Sequence, residues 1–584
     1  MPLAGSVTTA CSRSPGARTR SPPCSPPPTT CKCAVPRFPG RCSTPRPGCR
    51  PARRSWPRSC RARSNSCTTA WIRDVSAHDP KASKHTAVEG EDRALKRIAR
   101  SGAANVGAAA VGSASNFLLI VLITRFWASE DAGLLFAATS FFIIAVALAH
   151  LGADQGLVRF IAWNVGRGAG HSNRATVLAG VLPSLTMTLV VAVLGYAAAP
   201  WLAGLLGAQS GAEGALIIRV LVVTLPFAVL YEQLLAVCRG YAVMKPTIVL
   251  ERALRPTLQM LLILAAGLAQ SGVVVLTLAW TLPYALCFLL AGVAAVRTLR
   301  RHRDDWHGAG PIGEDLRSEF WRFTAPRGLA RMAQVMIQRA DIVIVTVMLG
   351  PAPAAIYTAA TRFLVLGQVA TSALQQVSEP QLARLLARKR KDTVSLVIRQ
   401  MTLWSVALVW PVYLVFAVHA SALMALVFGP GYEAGGIVLQ LLATAMLVAT
   451  AVGPLDVLLL MAGRSSLSLL NISVALVVDL ALCVLLIPQL GILGAGIAWA
   501  AAIIAKNLLC LWQVRKHLGI SVFSRELVMW LISLLGLFGL LGLLGSLPPA
   551  QPWVGLGISA LTGIFYLGYL WSKRTLLMPK KVGA

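Results

Sequence analysis

The sequence predicts an all-α polytopic membrane protein with fourteen transmembrane helices and both termini in the cytoplasm. Its 584 residues are 56% hydrophobic and only 13% charged, which excludes an ordinary soluble globular protein. Fourteen apolar segments are long enough to cross a bilayer. The loops between them alternate between basic loops and loops almost free of Lys and Arg. This alternation explains the net charge of +31 better than a nucleic-acid partner does.

The fourteen predicted spans lie near residues 104–124, 133–152, 176–198, 215–237, 247–268, 273–296, 324–348, 354–377, 396–418, 434–461, 466–487, 491–512, 526–546 and 553–571. Basic loops follow the even-numbered spans, as with Arg300 and Arg301 after the sixth span and Lys389 and Arg390 after the eighth. Because Lys and Arg are retained on the cytoplasmic side, the even-numbered loops are expected inside.

Residues 1–90 are predicted to form a disordered basic tail, rich in Arg, Pro, Ser and Cys, with no acidic residue before Asp74. Eight of the 12 cysteines lie between Cys11 and Cys67, and no pair has the spacing of a zinc site, so we predict neither metal, cofactor nor disulfide framework. The composition resembles GC-rich DNA translated in an unselected frame. We therefore expect the native start downstream, for example at Val75 or Val88; a basic arm that touches anionic lipid is the alternative.

An internal repeat appears when the chain is shifted along itself so that Asn105 falls on Arg327. The segment AATSF at 137–141 then falls on AATRF at 359–363, and the first span falls on the seventh without a gap. We therefore predict two parallel six-helix bundles, at 91–296 and 320–518, joined by a cytoplasmic linker at 297–319. Helices 13 and 14 and a basic tail, at 519–584, stand outside the repeat.

The seventh span carries a polar stripe. Five side chains fall within roughly an 80° arc of one helical face, namely Arg327, Arg331, Gln334, Gln338 and Asp341. A charge at bilayer depth costs about 2.5 kcal/mol or more, so the stripe must face protein or a watery cavity. The first span carries a neutral version of the stripe, because Asn105 and Asn116 fall on two of its positions when the repeats are superposed.

Six segments together resemble one known family. They are LITRFWASEDAGLLFAATS (122–140), HLGADQGLVRFIA (150–162), CRGYAVMKPTIVLERALRP (238–256), LGPAPAAIYTAATRF (349–363), VFGPGYEAGGIVLQLLA (427–443) and GILGAGIAWA (491–500). The order and spacing of these segments, over about residues 95–575, resemble those of the polysaccharide-biosynthesis or oligosaccharide-flippase family of the MOP exporter superfamily.

The resemblance implies a V-shaped pair of helical bundles that alternates access across the bacterial cytoplasmic membrane. The implied substrate is an oligosaccharide linked to undecaprenyl pyrophosphate, and the implied partners are membrane lipids, a polysaccharide polymerase and chain-length machinery. The first span lacks the buried acid expected of many multidrug-and-toxin extruders. Helices 13 and 14 are shared with lipid II flippases, so that branch stays open.

A flippase must hold a diphosphate and a sugar chain without breaking a covalent bond. The forked guanidinium of Arg suits a diphosphate, and the candidates are Arg327, Arg331, Arg252, Arg255 and Arg362. Amides suit sugar hydroxyls, and the candidates are Gln334, Gln338, Asn105 and Asn116, with Gln368, Gln375 and Gln376 on the eighth span. For Arg252 and Arg255 the alternative is a place at the membrane surface, and for the amides it is helix–helix hydrogen bonding.

Asp341, Asp479 and Glu232 are possible ion or proton sites, although Glu232 could equally pair with an arginine. The sequence contains no Walker A loop, no HExxH and no nucleophile elbow, so a transporter and not an enzyme is expected. An integral-membrane polymerase or ligase is the competing class. Enzymes of that class concentrate polar residues in one long periplasmic loop, whereas every predicted outside loop of this sequence is short.

Overall fold

Helices account for nearly all of the residues that the computed structural model describes, which are 105, 107–167, 170–207, 211–302, 314–388, 391–520, 523–545 and 552–572. No strand occurs within these ranges. The predicted tail at 1–90 and most of the middle of the predicted linker lie outside the described residues. All described residues belong to one compact unit.

Among the described residues, the first half of the chain contains nine α- or π-helices and a short 3-10 turn at Gly170–Ser172. The nine helices are α1 (Gly107–Phe126), α2 (Ser129–His150), α3 (Ala153–Gly166), α4 (Asn173–Ala197), α5 (Ala199–Leu205), α6 (Gly211–Gly240), the π-helical α7 (Thr247–Leu254), α8 (Arg255–Leu268) and α9 (Val273–Arg301). The second predicted span, 133–152, lies within α2 and its end, and the helical segment continues beyond it into α3 through Leu151 and Gly152. Both residues have left-handed backbones, with φ of 50° and 78°, which bends the chain there.

The second half begins with two long helices, α10 (Glu314–Leu349) and α11 (Pro351–Ala387). Gly350 separates them with a φ of 92°, a conformation that favours glycine, and Pro351 suits the first position of the next helix. The remaining α-helices among the described residues are α12 (Lys391–Val418), α13 (Ala420–Phe428), α14 (Gly436–Val452), α15 (Leu455–Met461), α16 (Ser465–Leu490), α17 (Ile492–Leu518), α18 (Arg525–Leu534), α19 (Leu541–Gly545) and α20 (Pro552–Ser572). A 3-10 helix at Pro430–Gly435 precedes α14, and a π-helical segment at Leu535–Leu540 joins α18 to α19.

Twelve helical segments within the described ranges are long and apolar enough to cross a membrane, as a multi-pass protein requires. The other two predicted spans, at 247–268 and 354–377, are also helical, as α7 with α8 and within α11. The number of fourteen spans and the cytoplasmic position of both termini stay predictions.

The two halves meet along α2. This helix packs against α4 and α6 of its own half and against α10 and α11 of the other. Aromatic rings add a second contact, because Phe117 of α1 lies 5.7 Å from Phe363 of α11 and 6.1 Å from Phe428 of α13, measured between ring centroids. The largest apolar core therefore runs through both halves.

Candidate functional site

A cavity of about 510 Å³ lies between the two halves. Its walls come chiefly from α1, α2, α10 and α11, and positions that the predicted repeat makes equivalent line it together. Nine such pairs occur: Ser113 and Val335, Asn116 and Gln338, Phe117 and Arg339, Leu119 and Asp341, Phe136 and Thr358, Thr139 and Thr361, Phe142 and Leu364, Ile143 and Val365, and Val146 and Gln368. Equivalent positions of the predicted repeat thus lie together in the cavity wall.

The polar stripe of α10 contributes part of this wall. Arg331, Gln338 and Asp341 line the cavity, and Arg339 joins them from the opposite edge of the face, roughly 80° from Arg331. Gln334 lies outside the lining. The cavity-facing arc is thus centred close to Arg331 and is wider than the predicted stripe.

Several candidates from the sequence lie away from the cavity. Arg327 is exposed, donates a hydrogen bond to Gln155 Oε1 at 3.3 Å and stacks on the ring of Phe323 at 4.6 Å. Arg252 is not part of the lining either, and its backbone carbonyl packs against Gly112 of α1. Asn105 and Gln375 also lie outside the lining, and the side chain of Gln376 lies outside the described residues.

Charged side chains of both signs line the cavity. They are the arginines Arg255, Arg331, Arg339 and Arg362 and the carboxylates Asp154, Glu232 and Asp341. The arginines outnumber the carboxylates, so an anionic group is better matched to this cavity than a cation.

One charged group surrounds the junction of α2 and α3. His150 Nε2 lies 3.1 Å from Glu232 Oε2 of α6, and Arg331 is close enough to interact electrostatically with both residues. Arg255 donates a hydrogen bond to the Tyr284 hydroxyl at 2.9 Å. Arg255 and Arg331, from different halves of the chain, thus approach the same carboxylate of Glu232.

A second charged group lies further along α10, around Asp341 and roughly 15 Å away by helical rise. The buried carboxylate of Asp341 accepts a hydrogen bond from the Tyr357 hydroxyl at 2.7 Å. Arg339 and Arg362 both interact electrostatically with this carboxylate. Asp479 of α16 is fully buried nearby, and its Oδ2 has no hydrogen-bond partner among the described residues.

Sequence reasoning missed three residues of the site. His150 stands inside a segment that carries the family resemblance, and an ionisable residue at the end of a span was the available signal. Arg339 lies beside Gln338 but falls outside a stripe defined by steps of three and four. Tyr284 gave no signal, since an isolated tyrosine in an apolar span is ordinary.

Close backbone contacts join the two halves at both ends of the cavity. A Cβ added to Gly328 would lie 2.4 Å from the carbonyl oxygen of Leu151, so α10 touches the α2–α3 junction directly. At the opposite end, Gly133 packs just as closely on the backbone of Pro351. The Arg125 guanidinium also donates hydrogen bonds to the carbonyls of Leu426 and Val427, at the end of α13.

Residues 99–386 match the family model of polysaccharide biosynthesis proteins, the family that the six sequence segments resemble. No curated protein sequence matches the chain.

Solved structures show the same fold at low sequence identity. The lipid II flippase MurJ, in an inward closed conformation, is 11% identical with a TM-score of 0.63, covering 80% of this chain and 98% of that one. An inward-facing multidrug resistance MATE family transporter of the MOP superfamily is 16% identical with a TM-score of 0.59, covering 70% and 95%. A MOP superfamily transporter from Pyrococcus furiosus is 16% identical with a TM-score of 0.50, covering 72% and 95%.

Proposed function

We propose that the protein is a flippase for an oligosaccharide linked to undecaprenyl pyrophosphate, acting in the bacterial cytoplasmic membrane during cell-surface polysaccharide synthesis. The observation that carries this proposal is the cavity in which four arginines stand beside amide and hydroxyl side chains. A polysaccharide polymerase and chain-length machinery would then use the delivered glycan.

The diphosphate would be held by Arg331 and Arg255. Both line the cavity, they come from different halves of the chain, and both are close to Glu232, so each already has a carboxylate that an incoming anion can replace. Guanidinium groups can make paired charge-assisted hydrogen bonds to phosphate oxygens. Gln338, Gln368 and Asn116, which also line the cavity, would bind sugar hydroxyls.

Asp341 and Asp479 are the proposed ion-coupling pair. Both carboxylates are buried, and a small cation bound beside them would offset the cost of burying their negative charge. Asp341 is held by Tyr357, whereas Asp479 keeps an oxygen without a partner among the described residues. An ion bound here would change the charge next to Arg339 and Arg362, and thereby the affinity of the cavity for an anion.

Transport would follow alternating access, with the halves separating on one side at a time. The Gly328–Leu151 contact would open toward the side that the loop charges predict to be cytoplasmic. The Gly133–Pro351 and Arg125–α13 contacts would open toward the outside. MurJ has a similar fold, so lipid II is an alternative substrate; an organic cation fits the arginine-rich cavity less well.

Purified protein in liposomes tests the proposal directly. The assay compares flipping of a fluorescent isoprenyl-diphosphate oligosaccharide with flipping of lipid II and efflux of a cationic dye. We expect the oligosaccharide lipid to move, with Arg331→Ala abolishing movement. Arg327→Ala is the matched control, because Arg327 lies outside the cavity and should retain most of the activity. Efflux of the dye without movement of either glycolipid would refute the proposal, and preference for lipid II would reassign the substrate.

A further inference from the structure

A second cavity, of about 340 Å³, lies beside the first. It is enclosed by α2, α4, α5 and α6, in the half of the bundle that the loop charges predict to face outside. Every residue that lines it is apolar. Its rim includes Leu194 and Trp201, which are 63% and 67% exposed, so the cavity opens toward the surface that lipid would cover.

The second half of the chain fills the corresponding space with a tyrosine. Tyr413 of α12 is fully buried, its hydroxyl donates to the Leu364 carbonyl at 2.9 Å, and a Cβ on Gly367 would lie 2.4 Å from its ring. The repeat makes these three residues equivalent to Val191, Phe142 and Ala145, and all three of those line the second cavity. The apolar cavity therefore exists where the first half has Val191 in place of a tyrosine.

The two cavities are adjacent. Phe142 lines both of them, and Val343 lines the apolar one from α10, just beyond Asp341 of the charged one. A molecule with an anionic head and a long apolar chain could thus place its head among the arginines and its chain in the adjoining apolar space. A phospholipid keeps its head at the membrane surface and matches this arrangement less well.

We propose that the apolar cavity binds the isoprenoid chain of the lipid-linked substrate while the diphosphate occupies the charged cavity. This inference rests on the proposed function and adds a chain-binding site in the first half of the protein. The chain is already surrounded by apolar lipid before it binds, so binding does not remove it from water. The binding free energy must instead come from closer van der Waals contacts and better shape complementarity. The site should therefore give a modest preference for long chains, and its outer position suits the substrate after its head has crossed.

The test is Val191→Tyr, which fills the cavity as Tyr413 fills its counterpart and is therefore compatible with this helix packing. Val193→Tyr is the matched control, since Val193 is 67% exposed and does not line the cavity. Two probes share one saccharide diphosphate head: one has a long polyisoprenyl chain carrying a diazirine, the other a single isoprene unit. In wild type, photolysis should label Phe142, Val191 or Leu221. Val191→Tyr should weaken long-chain binding about tenfold and leave short-chain binding unchanged.

The outcomes separate this inference from the function on which it rests. Unchanged long-chain binding and labelling elsewhere in Val191→Tyr would overturn the chain site and leave the flippase intact. Failure of both probes to bind wild type would overturn both. Labelling of the cavity by a diazirine phospholipid that excess long-chain probe does not displace would identify bulk lipid as the occupant. If Val191→Tyr binds neither probe, Ala198→Phe repeats the test at the rim of the cavity. Its control is Ala197→Phe, because Ala197 is exposed and does not line the cavity.

Discussion

Adding a methyl group to Gly328 should hold the cavity open on the predicted cytoplasmic side. Gly328 lies inside α10, and its missing side chain points at the α2–α3 junction of the other half. A Cβ there would lie 2.4 Å from the Leu151 oxygen, 2.5 Å from the Leu151 carbonyl carbon and 2.9 Å from the Gly152 nitrogen. All three atoms belong to backbone, so no side chain can rotate away.

The energies favour separation of the halves. Alanine in a helix interior is favoured over glycine by about 0.5–1 kcal/mol, so Gly328→Ala should not harm α10 itself. Overpacking of a close contact costs about 1–3 kcal/mol, and only the closed state of this contact carries that cost. A net bias of about 1 kcal/mol changes the ratio of open to closed protein roughly fivefold.

Accessibility of the cavity measures this shift. The reporter is Thr361→Cys, which faces the cavity, in an otherwise cysteine-free protein, labelled in inside-out vesicles by a membrane-impermeant maleimide. Gly328→Ala should raise the labelling rate about fivefold and slow transport. Gly166→Ala is the control, because a Cβ on Gly166 would meet no atom within 4 Å. Wild-type labelling and wild-type transport in Gly328→Ala would show that this contact does not gate the cavity.

Three further variants test the charged groups and the periphery. Arg331→Lys keeps the charge but loses the paired hydrogen bonds, so transport in liposomes should fall about tenfold and not vanish; wild-type transport would exclude a bidentate role. Tyr357→Phe removes the hydroxyl that donates to Asp341 and should cost about 1–3 kcal/mol in the free energy of unfolding, whereas Tyr432→Phe, whose hydroxyl has no hydrogen-bond partner among the described residues, should cost less. Burial lowers the pKa of His419 below its ordinary value of 6.5, so the unfolded chain takes up the proton first and thermal stability should fall as pH drops below about 6.5; His419→Gln should remove that dependence.

The helices and their membrane character could be predicted from the sequence because a segment that crosses lipid must be long, apolar and internally hydrogen-bonded. Apolar segments of sufficient length predicted all twelve of the membrane-length segments. The fifth predicted span shows the limit of this rule. Its beginning, Thr247–Leu254, forms a π-helix, and no periodicity in the sequence distinguishes that turn geometry from an α-helix.

The candidate site was only partly predictable, because a stripe on one helix does not identify its neighbours. The polar pattern of α10 includes Arg331 and Gln338, which line the cavity, but it treats Arg327, which does not, as equivalent. Arg327 has the same spacing but lies a turn earlier, where it contacts Gln155. Whether an arginine enters the cavity or stays at its end depends on depth and on the partner helix, and neither quantity is encoded in the spacing.

The predicted repeat relates positions around the cavity to one another but does not predict their charges. Where the second half places Arg339 and Asp341, the first half has Phe117 and Leu119 at the matching positions. The charges of the first half enter instead from elements outside these matched positions, as with Glu232 of α6. Backbone packing tolerates either choice, so a sequence shift can recover the geometry while the chemistry diverges. The two walls of the cavity are therefore unequal. The group around Glu232 combines charged residues of both halves, whereas Arg339, Asp341 and Arg362 all come from the second half.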